Sequence, residues 1–439
     1  MVLALVLGFG CRSKPKPDAP AVSGSQAARE AVPLRCREAS GAEVVVLGSG
    51  EPPKPAGEDD EEVEELPYSV ELGRARANGQ RFAVAGLENR RGATFAFAAF
   101  VAADGTGRST ELLRVFGDSE PPELAPSDEG WLVLAASSDA GSATLRLMRV
   151  DPPFSERDVR RGEELTGLRR DVSGFAIETL GGRALAAFGK LEKRQGRIAL
   201  AAIDPQKLAL VAPPKLLELE AGLEGESPKL AARTGGYYLA FLGRRAAPAT
   251  KSKPAPANTG GEANAEEPVV DAGPTGLFLV PLDEAGAPQG APRELTPPGA
   301  HVTAFELARW GESQALLVYR DDPEGPGRDR PSVEAVLVSL DGSVGRRTWE
   351  LADSSGLPSF FVDPAPQPGM PPGWLVVHGD NDTRLGALSS DPLASPVLVA
   401  DPTLGNTEPA ALLGGRLLRA RSRGTRVELD LVSCEPGRP

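Results

Sequence analysis

The stretch GWLVLAASSDAGSATLRLMRVDP (130–152) carries the pattern that decides the fold. A glycine opens a short apolar run. A polar turn interrupts it, and a second apolar run ends on Asp151 followed by Pro152. Two apolar runs split by turn residues read as a β-hairpin. The phrase recurs along the chain. It appears as GQRFAVAG with TFAFAAFVAADG (79–105), GRALAAFGKLEKRQGRIALAAIDP (182–205) and GYYLAFLG (236–243) with GLFLVPLDEAG (276–286). It returns as QALLVYRD (314–321) with EAVLVSLDG (334–342), GWLVVHGDNDTRLGALSSDP (373–392) and GRLLRARSRGTRVELDLVSCEP (415–436).

These seven copies close on Asp104, Asp151, Asp204, Asp283, Asp341, Asp391 and Glu435. The spacings are 47, 53, 79, 58, 50 and 44 residues, and the long one encloses an insertion. Hairpins recurring at about fifty residues are the mark of a β-propeller. A flanking strand precedes the hairpin in several copies, as in FAIETL (175–180), VTAFELARW (302–310) and PSFFVD (358–363). Another follows, as in ELLRVF (111–116) and LALVAP (208–213). The fold expected is therefore all-β, a single β-propeller of seven four-stranded blades over 36–436. No blade covers its own faces, so a ring of them shares one core. The last copy ends after its third strand. The orphan run AEVVVLG (42–48) near the N-terminus supplies a fourth strand and closes the ring.

Composition agrees. In 439 residues there are 50 Gly and 42 Pro, too many interruptions for a helical bundle or coiled coil. Net charge is −13, but Glu58, Asp59, Asp60, Glu61, Glu62, Glu64 and Glu65 form a single acidic run. That run belongs to a Pro-rich linker (48–66), and a second low-complexity segment (244–274) sits inside the fourth hairpin. Both read as exposed insertions without a core pattern. No basic patch with interleaved aromatics occurs, so nucleic acid is not expected as a partner.

The chain opens MVLALVLGFGC, with an apolar run too short to span a bilayer. It resembles a bacterial lipoprotein signal (1–10) in which Cys11 is the lipidated residue. The resemblance implies a diacylglyceryl anchor on Cys11, a flexible tether over 11–35 and a cell-envelope location, with Arg12 pointing to the outer membrane. It also implies that the membrane is met only through the lipid. Two of the three cysteines then remain, Cys36 and Cys434. In an oxidising compartment such a pair is most simply a disulfide, here between the start and the end of the folded region. Two unpaired thiols are the alternative.

The segment APSDEGWLVLAASSDAGSATLRLMRVD (125–151) is similar to the repeat of TolB-like propellers, in which a Ser-Pro-Asp-Gly turn precedes the second strand. Here the turn is Pro126-Ser127-Asp128-Glu129-Gly130, and other copies keep only the glycine and the apolar strand. The Gly-His and Trp-Asp marks of WD40-like propellers are absent.

Sites of chemistry are sparse by motif. His301 and His378 have no partner at motif spacing, and Asp380 and Asp382 lack the glycine and downstream glutamate of a calcium loop. Ser313 in GESQA lies between strands rather than on a strand–helix elbow. Trp131 and Trp374 follow a glycine at the same place in their repeats, which favours packing between blades. No catalytic, metal or cofactor residue is assigned. The expectation is a monomeric, non-enzymatic scaffold that binds an envelope protein or peptide. The alternative is a propeller hydrolase, lyase or carbohydrate-binding protein that uses carboxylates at the mouth of the central channel. Convergence of acidic side chains and a histidine at that channel would distinguish the two.

Overall fold

The computed structural model describes residues 34–45, 69–79, 81–90, 93–102, 104–115, 119–139, 142–168, 174–192, 195–245, 274–322, 332–349, 357–362, 372–378, 383–400, 408–413, 416–423 and 426–436. The predicted signal, Cys11, the acidic linker and nearly all of the insertion in the fourth hairpin lie outside them. The described residues are almost entirely strand, and one short 3-10 helix, Glu156–Asp158, joins two of the strands. They form seven separate antiparallel sheets, six of four strands and one of five.

The hairpins read from the sequence form the middle of each sheet. In the second sheet they are Gly130–Asp139 and Ser142–Val150, with Glu123–Ser127 on one side and Val159–Leu168 on the other. The first strands of the seven sheets are Ser69–Asn78, Glu123–Ser127, Phe175–Leu180, Leu223–Arg233, Val302–Trp310, Leu357–Val362 and Glu408–Leu413. Each lies against the first strand of the next sheet, and Glu408–Leu413 lies against Ser69–Asn78. These first strands are therefore the inner ones, ranged about a common axis.

The seventh sheet runs Glu408–Leu413, Arg416–Arg423, Arg426–Pro436 and then Leu34–Val45. The N-terminal strand starts eight residues earlier than the orphan apolar run and includes Cys36. It is antiparallel to Arg426–Pro436, with Cys36 directly opposite Cys434.

The core lies between sheets rather than within one. One cluster joins Ala83, Ala85 and Phe100 of the first sheet to Trp131, Val133 and Met148 of the second. Another joins Leu132, Leu134 and Leu147 of the second to Ile177, Ala186 and Phe188 of the third. A further one joins Leu418, Leu429 and Leu431 of the seventh sheet to Phe82, Val84 and Phe97 of the first. A middle strand thus has a neighbouring sheet on each face. That is why Phe82–Leu87 reads as a nearly continuous apolar run and not as strict alternation.

The recurring glycine and acid also have local causes. A Cβ on Gly130 would come within 2.5 Å of the Asp151 carboxylate and 2.7 Å of the Val150 carbonyl, so the second strand can begin there only without a side chain. Asp104, Asp204, Asp283, Asp341 and Asp391 each accept a hydrogen bond from the backbone N–H two residues on. These are Asx turns that end the third strand. Asp151 departs from this: its carboxylate accepts from Arg149 Nε at 2.6 Å.

Candidate active site on the axis

Inner strands see a neighbouring sheet only obliquely and face the axis with the rest of their surface. On five of them the axial positions carry charge. Ser69–Asn78 contributes Arg74 and Arg76, Glu123–Ser127 contributes Glu123, and Phe175–Leu180 contributes Glu178. Leu223–Arg233 contributes Lys229, and Val302–Trp310 contributes Glu306. Two irregularities in pairing flank the cations: the register shifts between Leu72 and Ala75, and again between Glu226 and Lys229. Such bulges turn a strand locally and re-aim its side chains.

The charges meet across the axis. Arg74 of the first sheet reaches Glu306 of the fifth, Nη2 to Oε2 at 2.8 Å, and also donates to the Leu307 carbonyl at 3.3 Å. Lys229 of the fourth sheet holds the other oxygen of Glu306 at 2.6 Å, with its ammonium 5.3 Å from the centre of the Phe305 ring. Arg76 spans from the first sheet to Glu178 of the third at a looser 3.5 Å. Glu178 also accepts from the Thr179 N–H at 3.1 Å.

Glu123 stands apart from this pairing. Its Oε2 is buried and has no hydrogen-bond partner in the protein, and the same holds for Nε of Arg76. Burial holds the Glu123 carboxyl above the ordinary carboxylate range, and the charge of Glu306 adds to the push. Arg74, Arg76 and Lys229 pull downward but do not prevail. Glu306 has the opposite outcome. Burial pushes it up, yet Arg74 and Lys229 outweigh burial and hold its carboxyl below the ordinary range. Burial would likewise lower Arg74, but Glu306, Glu123 and Glu178 together hold its charge more firmly than usual. Two carboxyls sharing the same cations are thus driven apart in proton affinity. That is the condition under which one can serve as an acid while the other stays ionised.

Residues singled out in the sequence lie elsewhere. Trp131 and Trp374 are buried at 0% and 1% exposure, as expected of packing positions. Trp310 and Trp349 are buried too and present no ligand face. Ser313 sits in a strand–turn–strand connection, where its carbonyl accepts from the Tyr238 hydroxyl. His301 enters the fifth inner strand with its backbone N–H on Asp321 at 2.8 Å. Asp380 and Asp382 lie outside the described residues, as does the side chain of His378. Among the described residues no group of three His, Cys, Asp or Glu side chains is placed to hold a metal ion.

No family model matches the sequence, and no curated protein does. Solved structures of similar fold are found. The β-propeller domain of the trilobed protease from Pyrococcus furiosus matches with a TM-score of 0.45 at 7% identity, covering 82% of this chain and 92% of that one. The polysaccharide lyase Uly1 matches with a TM-score of 0.48 at 8% identity, covering 82% and 89%. An acylaminoacyl peptidase from Pyrococcus horikoshii matches with a TM-score of 0.47 at 11% identity, covering 82% of this chain and 51% of that one. They are alike in fold, which is that of a β-propeller, and no activity transfers at such identities.

They are a protease domain, a polysaccharide lyase and a peptidase, which lends no support to the expectation of a non-enzymatic, protein-binding scaffold; that expectation, and with it the expectation that the chain is not an enzyme, is withdrawn. The axial cluster escaped that reading for a physical reason. Its groups come from inner strands on five different sheets, so no short motif contains two carboxyls. The sequence signal was a charge on five of the seven inner strands, as in FAIETL and VTAFELARW, and it emerges only when the strands are overlaid.

Proposed function

We propose that the chain is a propeller enzyme that cleaves a glycosidic bond at its axis, with Glu123 as the acid and Glu306 as the ionised carboxylate. The observation that carries this reading is the buried, unpartnered Oε2 of Glu123 beside a doubly ion-paired Glu306. Two carboxyls in unlike protonation states are the minimal set for that reaction. The Glu123 O–H gives its proton to the bridging oxygen as the bond to the anomeric carbon breaks. Glu306 bonds to that carbon. Water then displaces Glu306, and its proton returns to Glu123. Arg74 and Lys229 keep Glu306 ionised in the free site.

The test is reducing-end release from a panel of polygalacturonate, alginate, xylan and starch by the full chain and by Glu123→Gln and Glu306→Gln. Loss of an acid of this kind costs on the order of 100-fold or more. Cleavage of one polymer that falls by that factor in both variants is the expected result. If the wild type cleaves none, or if Glu123→Gln keeps full activity, the reading fails. Release accompanied by an unsaturated product would assign a lyase in place of a hydrolase.

Three further features belong to the same reading. The seven sheets act as seven blades, and strand Leu34–Val45 closes the ring; its pairing with Arg426–Pro436 supports this. The opposition of Cys36 and Cys434 supports a disulfide that pins the closure. Such a link across a loop of nearly four hundred residues is worth about 5 kcal/mol at most. Equal gel mobility of the parent and Cys36→Ser under non-reducing conditions would contradict it. Cys11 carries the lipid that holds the enzyme in the cell envelope, and Cys11→Ser should release the protein from the membrane fraction.

A further inference from the structure

We infer that the axial site admits only the end of a glycan chain, so that the protein releases short sugars from chain ends and does not cut polymers internally. The inference rests on the glycosidic reading above and adds the form of the substrate. The charged groups stand deep along the inner strands. Arg74, Glu123, Lys229 and Glu306 each lie four residues before the end of their strand, at Asn78, Ser127, Arg233 and Trp310. They share one level, as the contacts of Glu306 with Arg74 and Lys229 require. Glu306 is also four residues from its strand's start at Val302, and Arg74 is five from Ser69. At a rise of about 3.3 Å per residue, that level is roughly 13 Å or more from either end of the inner strands.

The inner strands wall this space continuously, each lying against the next. Arg74 of the first sheet and Glu306 of the fifth are not on neighbouring sheets, so their 2.8 Å bond spans the axial space and bars a chain from threading through it. Toward the turns the space is crossed again: Arg76 and Glu178, each two residues from its strand's end, pair at 3.5 Å. The turns are themselves tied together. Asn78 Nδ2 donates to the Asp128 and Gly130 carbonyls, and the Thr234 N–H to the Glu312 carbonyl. The other side is open. Glu71, three residues before Arg74, is exposed, and the side chains of Lys229 and Glu306 keep 27% and 17% exposure. The site is therefore a well, walled around and crossed below. A linkage in mid-chain continues in two directions, and both halves would have to descend side by side to bring it to Glu123 and Glu306. A chain end carries only one half.

The test follows viscosity, reducing ends and product length together, on the full chain, with the four polymers named above and the same polymers shortened by partial acid hydrolysis. Monosaccharide or disaccharide should appear from the first time point while the viscosity of the intact polymer stays near its starting value. At equal mass, chains shortened about tenfold carry about ten times as many ends, so release should rise about tenfold at low substrate. Glu123→Gln should remove that release, which ties it to the axis. Rapid loss of viscosity with products of mixed length, at a rate that follows mass rather than ends, would overturn the inference and leave the enzyme reading intact. Chain-end release that survives in Glu123→Gln would place the reaction away from the axis and overturn the inference as well. Release of no sugar from chains of either length would sink the enzyme reading, and the inference with it.

Discussion

Two adjacent strands of the first sheet show how differently the molecule uses its parts. In Arg81–Arg90 the residues Phe82 to Glu88 are buried in succession. In the inner strand Ser69–Asn78, which it pairs with, only Leu72 and Ala75 are buried among the described side chains. The middle strand is pressed between two sheets, so its side chains are apolar and its register is fixed by packing. The inner strand faces the axis, where no sheet covers it, and it can carry Arg74 and Arg76. Apolar burial is concentrated in the one and charge in the other.

The sharpest way to break this division is to hollow the packed region. Trp131 is fully buried between the first and second sheets. Trp131→Ala should cost about 3–5 kcal/mol, read as a lower denaturation midpoint. A loss below about 1 kcal/mol would mean that the sheets do not depend on this interface for their packing.

A smaller effect is expected on the axis. Glu306→Gln leaves Arg74 and Lys229 without their shared carboxylate and should destabilise by about 3 kcal/mol, the usual cost of breaking a buried pair. The pH dependence has a definite sign. Because the Glu306 carboxyl is depressed in the fold, its contribution is present above the unfolded carboxylate range and is lost as pH falls through its folded value. The difference between wild type and Glu306→Gln should therefore shrink in acid. Glu123 runs the other way. Its raised carboxyl favours the fold while protonated and opposes it once ionised. Thermal melts of Glu123→Gln should match wild type in acid and exceed it in alkali. A Glu123→Gln protein less stable than wild type at alkaline pH would show that the ionised form is accommodated.

The same contrast explains what could be read from the amino acids alone. The middle strands were legible because packing between two sheets leaves an apolar run, a glycine where Gly130 meets Asp151, and an aspartate that closes an Asx turn. Trp131 and Trp374 were legible for the same reason. The outer strands were less so: LALVAP (208–213) yields only Ala209–Leu210, with Lys215–Leu216 as a second short edge piece. The axial cluster was illegible by motif. Arg74 and Glu306 are 232 residues apart, and only the fold brings them to 2.8 Å. Glu123 reads locally as the edge of a turn, and its importance comes from what it lacks, a partner for Oε2.

The central claim is that one axial carboxyl holds its proton above the ordinary carboxylate range beside another whose proton affinity is held below it. Infrared difference spectroscopy of wild type against Glu123→Gln, titrated upward from acid, measures it without knowledge of the substrate. The account predicts a protonated-carboxyl carbonyl band that persists above the ordinary carboxylate range and is missing from Glu123→Gln. A Glu123 that titrates with the surface carboxylates would contradict it.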